Sequence, residues 1–425
     1  MRYISALLLL FLIGCSPAKR LTRDLRTNSQ FTDHFTGFAL YDPVGKQTLM
    51  AHNADKGFVP ASNTKLFSFY AGLLTLQDSL PALRYVVRGD SLIFWGTGNP
   101  LLLHPDLPDT SAVRFLRNRP ERLFYSAANY NLPRLGPGWA WDDYNDEYSC
   151  EQAPLPLYGN FVRFTFPDRR PDVMVEPTFF VDSTVVSTAR PTPREVRRDE
   201  SRNRFVRPQN IRPFRQDVPF RWSPELAVRL LSDTLNRPVG LVDTPMPSHT
   251  RLVYGTPTDS LYKRTEHVSD NTLAEHILLM ASAQQGDLVL NPARIRAMTD
   301  SVGLGKRPDI RWVDGSGMSR YNLFTPNSLI ALLLQIQAKV PQKRLFALLP
   351  AGGQSGTLRG MLKADKPFVF AKSGSMTGVY NLSGYLVTRK GKILIFSMMH
   401  NNFTQPISEM RQRTAQFLEQ IHNQF

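Results

Sequence analysis

The sequence predicts an α+β fold in which one antiparallel sheet of about five strands is covered by helices. Two short apolar segments near the start, 37–41 and 48–52, flank a turn and predict a β-hairpin. Three further strand-like runs, 367–372, 382–388 and 393–399, follow one another through short turns near the end of the chain. We predict that the early hairpin and the three late strands form one sheet, which helices cover.

The spacing of apolar residues predicts the helices. From Ser62 onward the apolar residues follow the i, i+3, i+4, i+7, i+8 spacing of one helical face: Leu66, Phe69, Tyr70, Leu73 and Leu74. Further helical patterns cover residues 223–235, 272–283 and 405–422. Ser62 is therefore expected at the amino terminus of a helix, where unpaired N–H groups and the helix dipole favour negative charge.

The middle of the chain has a different character. Residues 79–222 contain short strand-like runs separated by Pro and Gly, which predicts a β-rich module. A chain of 425 residues with 42% hydrophobic content is long enough for two domains. We therefore predict a main domain formed by residues 31–78 and 223–425, with residues 79–222 inserted as the β-rich module.

The first 14 residues have the features of an export signal. The apolar run 3–13 is too short to span a bilayer, which takes about 20 residues. The string Leu-Ile-Gly-Cys at 12–15 resembles the lipobox of bacterial lipoproteins, so Cys15 is a candidate lipidation site. The alternative is an ordinary signal with an incidental Cys. Lipidation would make residues 15–30 a tether between a membrane and an exported domain.

Net charge and cysteine content indicate which partners and which disulfides to expect for this protein. The formal net charge is +15, and much of the excess lies in the Arg-rich stretch 190–221. Such a protein is attracted to an anionic envelope polymer. Nucleic acid is the competing partner, which we disfavour because the chain is expected to be exported. Without Cys15 only Cys150 remains, so no internal disulfide is expected.

The first of three chemically informative strings is Ser-Asn-Thr-Lys at 62–65. Ser62 and Lys65 are three residues apart on a predicted helix, so their side chains share one face. A Ser hydroxyl becomes a nucleophile when a base removes its proton, and Lys can do so when desolvation or a nearby cation lowers its pKa. The same pattern occurs at 16–19 and 260–263. Only Ser62 opens a long apolar helix directly after a hairpin.

The second string, Ser-Asp-Asn at 269–271, places a hydroxyl and an amide two residues apart. Ser269 and Asn271 can relay a proton to a leaving group and hold a substrate backbone. The same spacing occurs at 201–203, and Ser269 could instead be the N-cap of the following helix. This string is therefore informative only together with the others.

The third string, Lys-Ser-Gly at 372–374, ends a predicted strand. Lys372 would direct a cation toward a cleft and bind a substrate that ends in a carboxylate, while Gly374 would let a substrate backbone approach. The same cation would help to keep Lys65 neutral by repulsion. A surface turn is the alternative. The three strings in this order predict one acyl-transfer site.

Other catalytic patterns are missing from the sequence. It contains neither G-x-S-x-G nor H-E-x-x-H, and its eight His residues lack ligand spacing. We therefore expect neither a metal nor a cofactor.

The strings resemble those of the class C low-molecular-mass penicillin-binding proteins (peptidase family S13), which are D-alanyl-D-alanine carboxypeptidases and endopeptidases. The likeness runs from about Phe35 to the end and includes further segments: 139–143, 153–154, 314–317, 319–322, 356–358 and 382–385. It implies a β-lactamase-like transpeptidase domain with a module inserted between the first and second strings. It also implies peptidoglycan peptides and β-lactams as partners.

The resemblance implies roles for the first two strings. Ser62 would be acylated and Lys65 would be its base. Ser269 and Asn271 would assist proton transfer and hold the substrate.

For the remaining residues the resemblance implies substrate contacts. Lys372 and Ser373 would bind the terminal carboxylate, and the N–H groups of Ser62 and Ser375 would form the oxyanion hole. Asp143 would recognise the amino end of a diaminopimelate side chain. The chain departs from the family at Ser373, where Thr is commoner, and in a shorter inserted module.

Two rival functions remain open at this point. One is a β-lactamase, which shares the strings but hydrolyses its acyl-enzyme quickly. The other is a lipoprotein that binds wall peptides without catalysis. The balance between carboxypeptidase and endopeptidase action and the oligomeric state stay open as well.

Overall fold

The computed structural model describes residues 17–168, 173–189, 194–209, 212–299 and 309–425. The strands are β1 (Phe35–Asp42), β2 (Gln47–His52), β3 (Ser79–Arg88), β4 (Ser91–Gly96), β5 (Arg122–Ser126), β6 (Phe161–Phe166), β7 (Met174–Glu176), β8 (Thr184–Val186), β9 (Arg197–Arg198), β10 (Phe205–Arg207), β11 (Phe214–Pro219), β12 (Val239–Leu241), β13 (Arg251–Pro257), β14 (Val369–Met376), β15 (Val379–Val387) and β16 (Ile393–Asn401). The α-helices are α1 (Pro17–Thr27), α2 (Ser29–Thr32), α3 (Lys65–Thr75), α4 (Ser111–Arg117), α5 (Pro224–Leu235), α6 (Thr258–Val268), α7 (Asn271–Gln284), α8 (Pro292–Thr299), α9 (Pro326–Lys339), α10 (Gln342–Leu348) and α11 (Ile407–Gln424).

The predicted α+β fold is confirmed. The main sheet has five antiparallel strands in the order β14-β15-β16-β1-β2, so the early hairpin and the late strands meet where β1 pairs with β16. Alternate residues of β16 point to opposite faces, and both faces are covered. Phe396 packs in the cluster that contains residues of α1 and α11, whereas Ile395 packs with residues of α3 and α9.

The inserted region is β-rich, as expected. It contributes β3, β4 and β5 to a second five-stranded sheet, ordered β12-β5-β4-β3-β13, and contains two three-stranded sheets. The boundary at residue 222 stays a prediction. Strands β12 and β13 complete the second sheet, and Leu226 and Leu231 of α5 are buried in the same hydrophobic cluster as Leu123 and Phe164. On these contacts we propose that the module extends to residue 257.

The described part of the predicted tether, residues 17–30, is folded rather than free. From Pro17 onward it forms helix α1, because Leu21 and Leu25 lie one turn apart on a single face. Both leucines are fully buried, and they pack against the main sheet in the same cluster as Phe38 and Ile421. The segment is therefore an integral part of the domain.

Several residues on which the predicted export, lipidation and surface charge depend are not among the described residues. Cys15 and the predicted signal lie outside the described residues, as do 190–193 and 210–211 of the Arg-rich stretch. Within that stretch Arg198 is buried and donates to the Pro219 carbonyl at 2.8 Å, so this charge is structural rather than solvated. Cys150 is buried and unpaired with another cysteine. In the described ranges, no helix combines the length and apolarity that crossing a membrane requires.

Candidate active site

The backbone that leads to Ser62 is tied to the main sheet. The Val59 N–H donates to the Asn401 side-chain oxygen at 2.8 Å, and the Asn381 amide donates to the Val59 carbonyl at 3.0 Å. A 3₁₀ turn, Ala61–Thr64, follows and runs directly into α3. Ala61 has a left-handed φ of 46°, which is uncommon for a residue other than glycine. The turn thus presents Ser62 at the amino end of α3 in a fixed orientation.

The Lys65 amine joins the first string to the second. It lies 2.9 Å from the Ser62 hydroxyl oxygen, 2.6 Å from the side-chain oxygen of Asn271 and 2.7 Å from the Ser316 carbonyl oxygen. The Asn271 amide nitrogen donates to the Tyr148 carbonyl at 3.0 Å, which fixes the oxygen of that amide toward Lys65. The predicted proximity of Ser62 and Lys65 is therefore observed, and Asn271 joins them.

These contacts determine where a neutral Lys65 can direct its lone pair. The oxygens of Asn271 and Ser316 can only accept hydrogen bonds. A neutral amine has two N–H donors, which these two oxygens occupy. The remaining position on the nitrogen then faces the Ser62 hydroxyl and can accept its proton. The geometry suits general-base activation of Ser62.

Burial is the main reason why the Lys65 amine titrates below its ordinary range. The side chain is completely buried, and this desolvation lowers its pKa to about 8. Four surrounding carboxyl groups oppose that effect: Glu266, Asp314, Asp270 and Glu275. The sequence analysis names desolvation or a nearby cation as the cause, and desolvation is the dominant one.

We expect acylation to become faster as the pH rises toward about 8. Only neutral Lys65 can take the Ser62 proton, and its neutral fraction falls about tenfold for each pH unit below the pKa. The rate constant for labelling by a fluorescent penicillin, measured from pH 6 to pH 9, should therefore increase and level off above the pKa of Lys65. A rate that stays constant over this range would contradict a base with that pKa.

The second string forms the tight connection between α6 and α7. Ser269 adopts a left-handed conformation with φ 62°, and Asp270 is the N-cap, since its carboxylate accepts from the Leu273 N–H at 3.0 Å. The proposal that Ser269 is the N-cap is therefore wrong. Its hydroxyl instead accepts a hydrogen bond from the Lys372 amine at 2.9 Å. A strained backbone at this point is typical of a functional residue.

The third string lies on the edge strand β14. Lys372 is completely buried, and its amine also donates to the Ser373 carbonyl at 2.8 Å. The Ser373 hydroxyl donates to the Thr357 hydroxyl at 2.7 Å, which adds Thr357 to the site. Burial lowers the pKa of Lys372, and the charge of Lys65 lowers it further. These groups form a polar end to the site that suits an anionic substrate group.

Packing within the protein gives a reason for glycine at position 374. A Cβ atom at this position would lie 2.6 Å from the Pro60 carbonyl oxygen and 2.9 Å from the Ser62 nitrogen. Glycine therefore lets β14 approach the turn that carries Ser62. The expected close approach of a substrate backbone to Gly374 stays a prediction.

A cleft of about 590 Å³ contains most of the predicted residues. Its walls include Ser62, Ser269, Asn271, Ser375 and Asp143. Asp143 lies in the 3₁₀ turn Trp141–Asn145 of the inserted module, and partial burial raises the pKa of its carboxyl group. The module thus supplies one wall of the cleft.

Two buried carboxyl groups near the lysines are not predicted from the sequence. Neither carboxyl oxygen of Glu266 has a hydrogen-bond partner among the described residues, and its charge interacts with both Lys372 and Lys65. Burial raises its pKa to about 7. Glu275 accepts the N–H groups of Gly315 and Ser316 at 2.9 and 2.7 Å, which orients the carbonyl that contacts Lys65. The sequence gives only a slight signal for Glu275, which is an acidic residue among the mostly apolar buried residues of α7.

Comparisons with known proteins show what the chain is similar to. The "D-alanyl-D-alanine carboxypeptidase DacB" of Haemophilus influenzae is 26% identical over 179 residues, which are 40% of this chain and 37% of that protein. The "D-alanyl-D-alanine carboxypeptidase" of Actinomadura sp. (strain R39) is 38% identical over 100 residues, 22% of this chain and 18% of that protein. The aligned segments thus span well under half of these relatives.

The fold and the family agree over almost the whole chain. Penicillin binding protein 4 (dacB) from Haemophilus influenzae matches with a TM-score of 0.74 and 19% identity, covering 96% of this chain and 99% of that one, which shows a shared fold. A family model matches residues 21–421. The resemblance found in the sequence is thereby confirmed, and the chain belongs to the D-Ala-D-Ala carboxypeptidase 3 (S13) family.

Proposed function

We propose that this protein is a serine-type D-Ala-D-Ala carboxypeptidase and endopeptidase that acts on peptidoglycan stem peptides through an acyl-enzyme on Ser62. The observation that carries the proposal is the Lys65 amine, 2.9 Å from the Ser62 hydroxyl oxygen, with two acceptor oxygens occupying its other positions. A nucleophile and a base in direct contact are the parts that covalent acyl transfer needs.

Acylation is the first step of the proposed reaction. The Ser62 oxygen attacks the carbonyl carbon of the penultimate D-Ala while Lys65 takes the hydroxyl proton. The N–H groups of Ser62 and Ser375 stabilise the oxyanion, an effect of roughly 100- to 1000-fold per donor. The C–N bond then breaks, and the leaving amine receives a proton relayed through Ser269. Asn271 holds Lys65 and the substrate in place.

Deacylation completes the cycle. Water attacks the ester carbon, the bond to the Ser62 oxygen breaks, and the serine regains a proton. Lys372, Ser373 and Thr357 bind the terminal carboxylate of the substrate before the first step. This is supported by the buried cation of Lys372 and by the hydroxyl pair at 2.7 Å. An internal peptide cross-link presents the same type of amide, so endopeptidase action uses the same residues.

We propose that Asp143 recognises the side chain of the third residue of the stem peptide. Its carboxylate lines the cleft and suits a substrate ammonium group. We expect Asp143→Asn to reduce kcat/KM about 10- to 100-fold for a peptide whose side chain ends in an amine, the effect of losing a charged hydrogen bond. Acylation by benzylpenicillin, which lacks that amine, should stay nearly unchanged. Equal losses with both substrates would contradict the assignment.

β-Lactams are proposed to acylate the same serine. In support, penicillin binding protein 4 of Haemophilus influenzae, which shares the fold, has been solved in complex with a β-lactam. The lifetime of the adduct separates this function from a β-lactamase. An adduct that survives for many minutes supports a carboxypeptidase, whereas rapid turnover of the drug supports the rival.

The decisive experiment is digestion of purified cross-linked muropeptides, with products identified by mass. Release of D-Ala from pentapeptides and of monomers from dimers is expected from the wild-type protein. The Ser62→Ala variant should release neither. A wild-type protein that binds these peptides but releases no product would support a non-catalytic wall-binding protein instead.

We also propose an exported, envelope-attached location. The substrate lies outside the cytoplasm, and residues 1–14 have the pattern of an export signal. Cys15 is the proposed point of lipid attachment. Mass spectrometry of the mature amino terminus tests this: a diacylated Cys15 is expected, and an unmodified amino terminus beyond residue 15 would contradict it.

A further inference from the structure

Helix α1 presents a basic face on the outside of the domain. Lys19, Arg20, Arg23 and Arg26 are all exposed, whereas the apolar face with Leu21 and Leu25 is buried against the sheet. Asp24 is the one acidic residue among the 11 residues of the helix. The buried leucines already hold the helix against the sheet. The basic residues on the outer face are therefore not needed to keep the helix in place.

The basic face borders a shallow groove between α1 and the edge strand β2. The groove has a volume of about 320 Å³ and is lined by Lys19, Arg23 and Arg26, with Ala18 and Leu49 as apolar contacts; Thr22 and Thr27 complete its lining. The three cations are spaced four and three residues apart, so they project from one side of the helix. A concave site with three cations, two hydroxyl groups and an apolar base suits a phosphate-bearing headgroup and the start of its acyl chains.

We propose that this groove binds the headgroup of an anionic phospholipid, so that α1 lies against the membrane surface. The proposal goes beyond the catalytic function and does not depend on it. Charge is the main attraction, because the apolar face of α1 is occupied by the protein and cannot insert into the bilayer. Each Lys or Arg near an anionic leaflet strengthens binding about fivefold, so three give roughly 100-fold. A diacylated Cys15 would already attach the chain to a membrane, so the groove would serve to hold α1 against the lipid surface rather than to supply the attachment.

Vesicle binding by the unlipidated protein tests this proposal. The protein is the chain from Ser16 onward, which keeps every residue that the structure describes. Vesicles of phosphatidylcholine with 30% phosphatidylglycerol are compared with vesicles of phosphatidylcholine alone, at low and high salt. The test variant combines Lys19→Gln, Arg23→Gln and Arg26→Gln, since glutamine keeps helix propensity and the buried leucines are untouched.

The control variant removes the same charge elsewhere. It combines Lys263→Gln, Lys339→Gln and Lys343→Gln, three exposed lysines on α6, α9 and α10. These helices cover the other face of the main sheet. Thermal unfolding of both variants verifies that the fold is kept. A labelling rate with fluorescent penicillin equal to that of the unmodified protein verifies that the cleft is intact.

The proposal predicts binding that requires phosphatidylglycerol, weakens with salt and falls roughly 100-fold in the α1 variant but much less in the control. Equal weakening in both variants would overturn it in favour of diffuse attraction by the net charge. Equal binding to both kinds of vesicle would overturn it as well. Inorganic phosphate is tested separately: a phosphate-dependent rise in melting temperature, lost in the α1 variant but without vesicle binding, would identify a free-anion site and exclude a lipid one.

Discussion

Replacing Ser62 with alanine is expected to abolish covalent labelling by a fluorescent penicillin and to reduce release of D-Ala by at least roughly 10⁴-fold. The variant removes the oxygen that forms the ester, and Lys65 then has no hydroxyl to deprotonate at 2.9 Å. The fold should be kept, because the turn Ala61–Thr64 is held by the backbone contacts of Val59 rather than by the Ser62 side chain. Gel fluorescence and product mass measure the two effects.

Ser260→Ala is the matched control. Ser260 and Lys263 repeat the spacing of Ser62 and Lys65 on helix α6, outside the cleft lining. The control should label normally. Labelling that persists in the Ser62 variant, or that disappears in the Ser260 variant, would reassign the nucleophile.

Replacing Lys65 with alanine should slow acylation by at least roughly 100-fold, the usual effect of losing a general base. The variant should also lose the rise of rate with pH that neutral Lys65 produces, and this second readout separates loss of the base from loss of a structural contact. The amine holds three oxygens together, so some local rearrangement is expected as well. Rapid-mixing measurements of penicillin acylation across the pH range provide both quantities.

Lys263→Ala serves as the control for Lys65. Its side chain is exposed, and no change in rate or in pH dependence is expected. If the Lys65 variant acylated at a nearly normal rate, another group would have to be the base. Lys372 is the first candidate, because burial also lowers its pKa and it contacts Ser269.

Local patterns in the sequence were sufficient to predict much of the fold and of the site. The spacing of Ser62 and Lys65 on a helix predicts their contact, because residues three apart lie on one face. The strand-like runs near the two ends of the chain predict one sheet covered by helices. The order of the three strings predicts that they converge on one site. Only the resemblance to a family assigns a role to each residue of the strings.

What the sequence could not predict depends on residues that are distant along the chain. Glu275 helps to hold the loop from which the carbonyl of Ser316 reaches Lys65, and neither residue belongs to a catalytic string. Burial of Glu266 beside two lysines follows from how α6 packs, which no local pattern encodes. The close fit of Gly374 to the Ser62 turn likewise exists only after β14 and the turn have met.

The order of strands in the main sheet separates the cleft from helix α1. Lys372 lies in β14 at one edge, while α1 packs beside β2 at the other, four interstrand spacings or roughly 19 Å away. If α1 lies against a bilayer as proposed, the proposed nucleophile Ser62, whose turn packs against β14, lies at the edge of the sheet away from the lipid. Its working distance from the lipid is then set by the width of one sheet, without a flexible spacer.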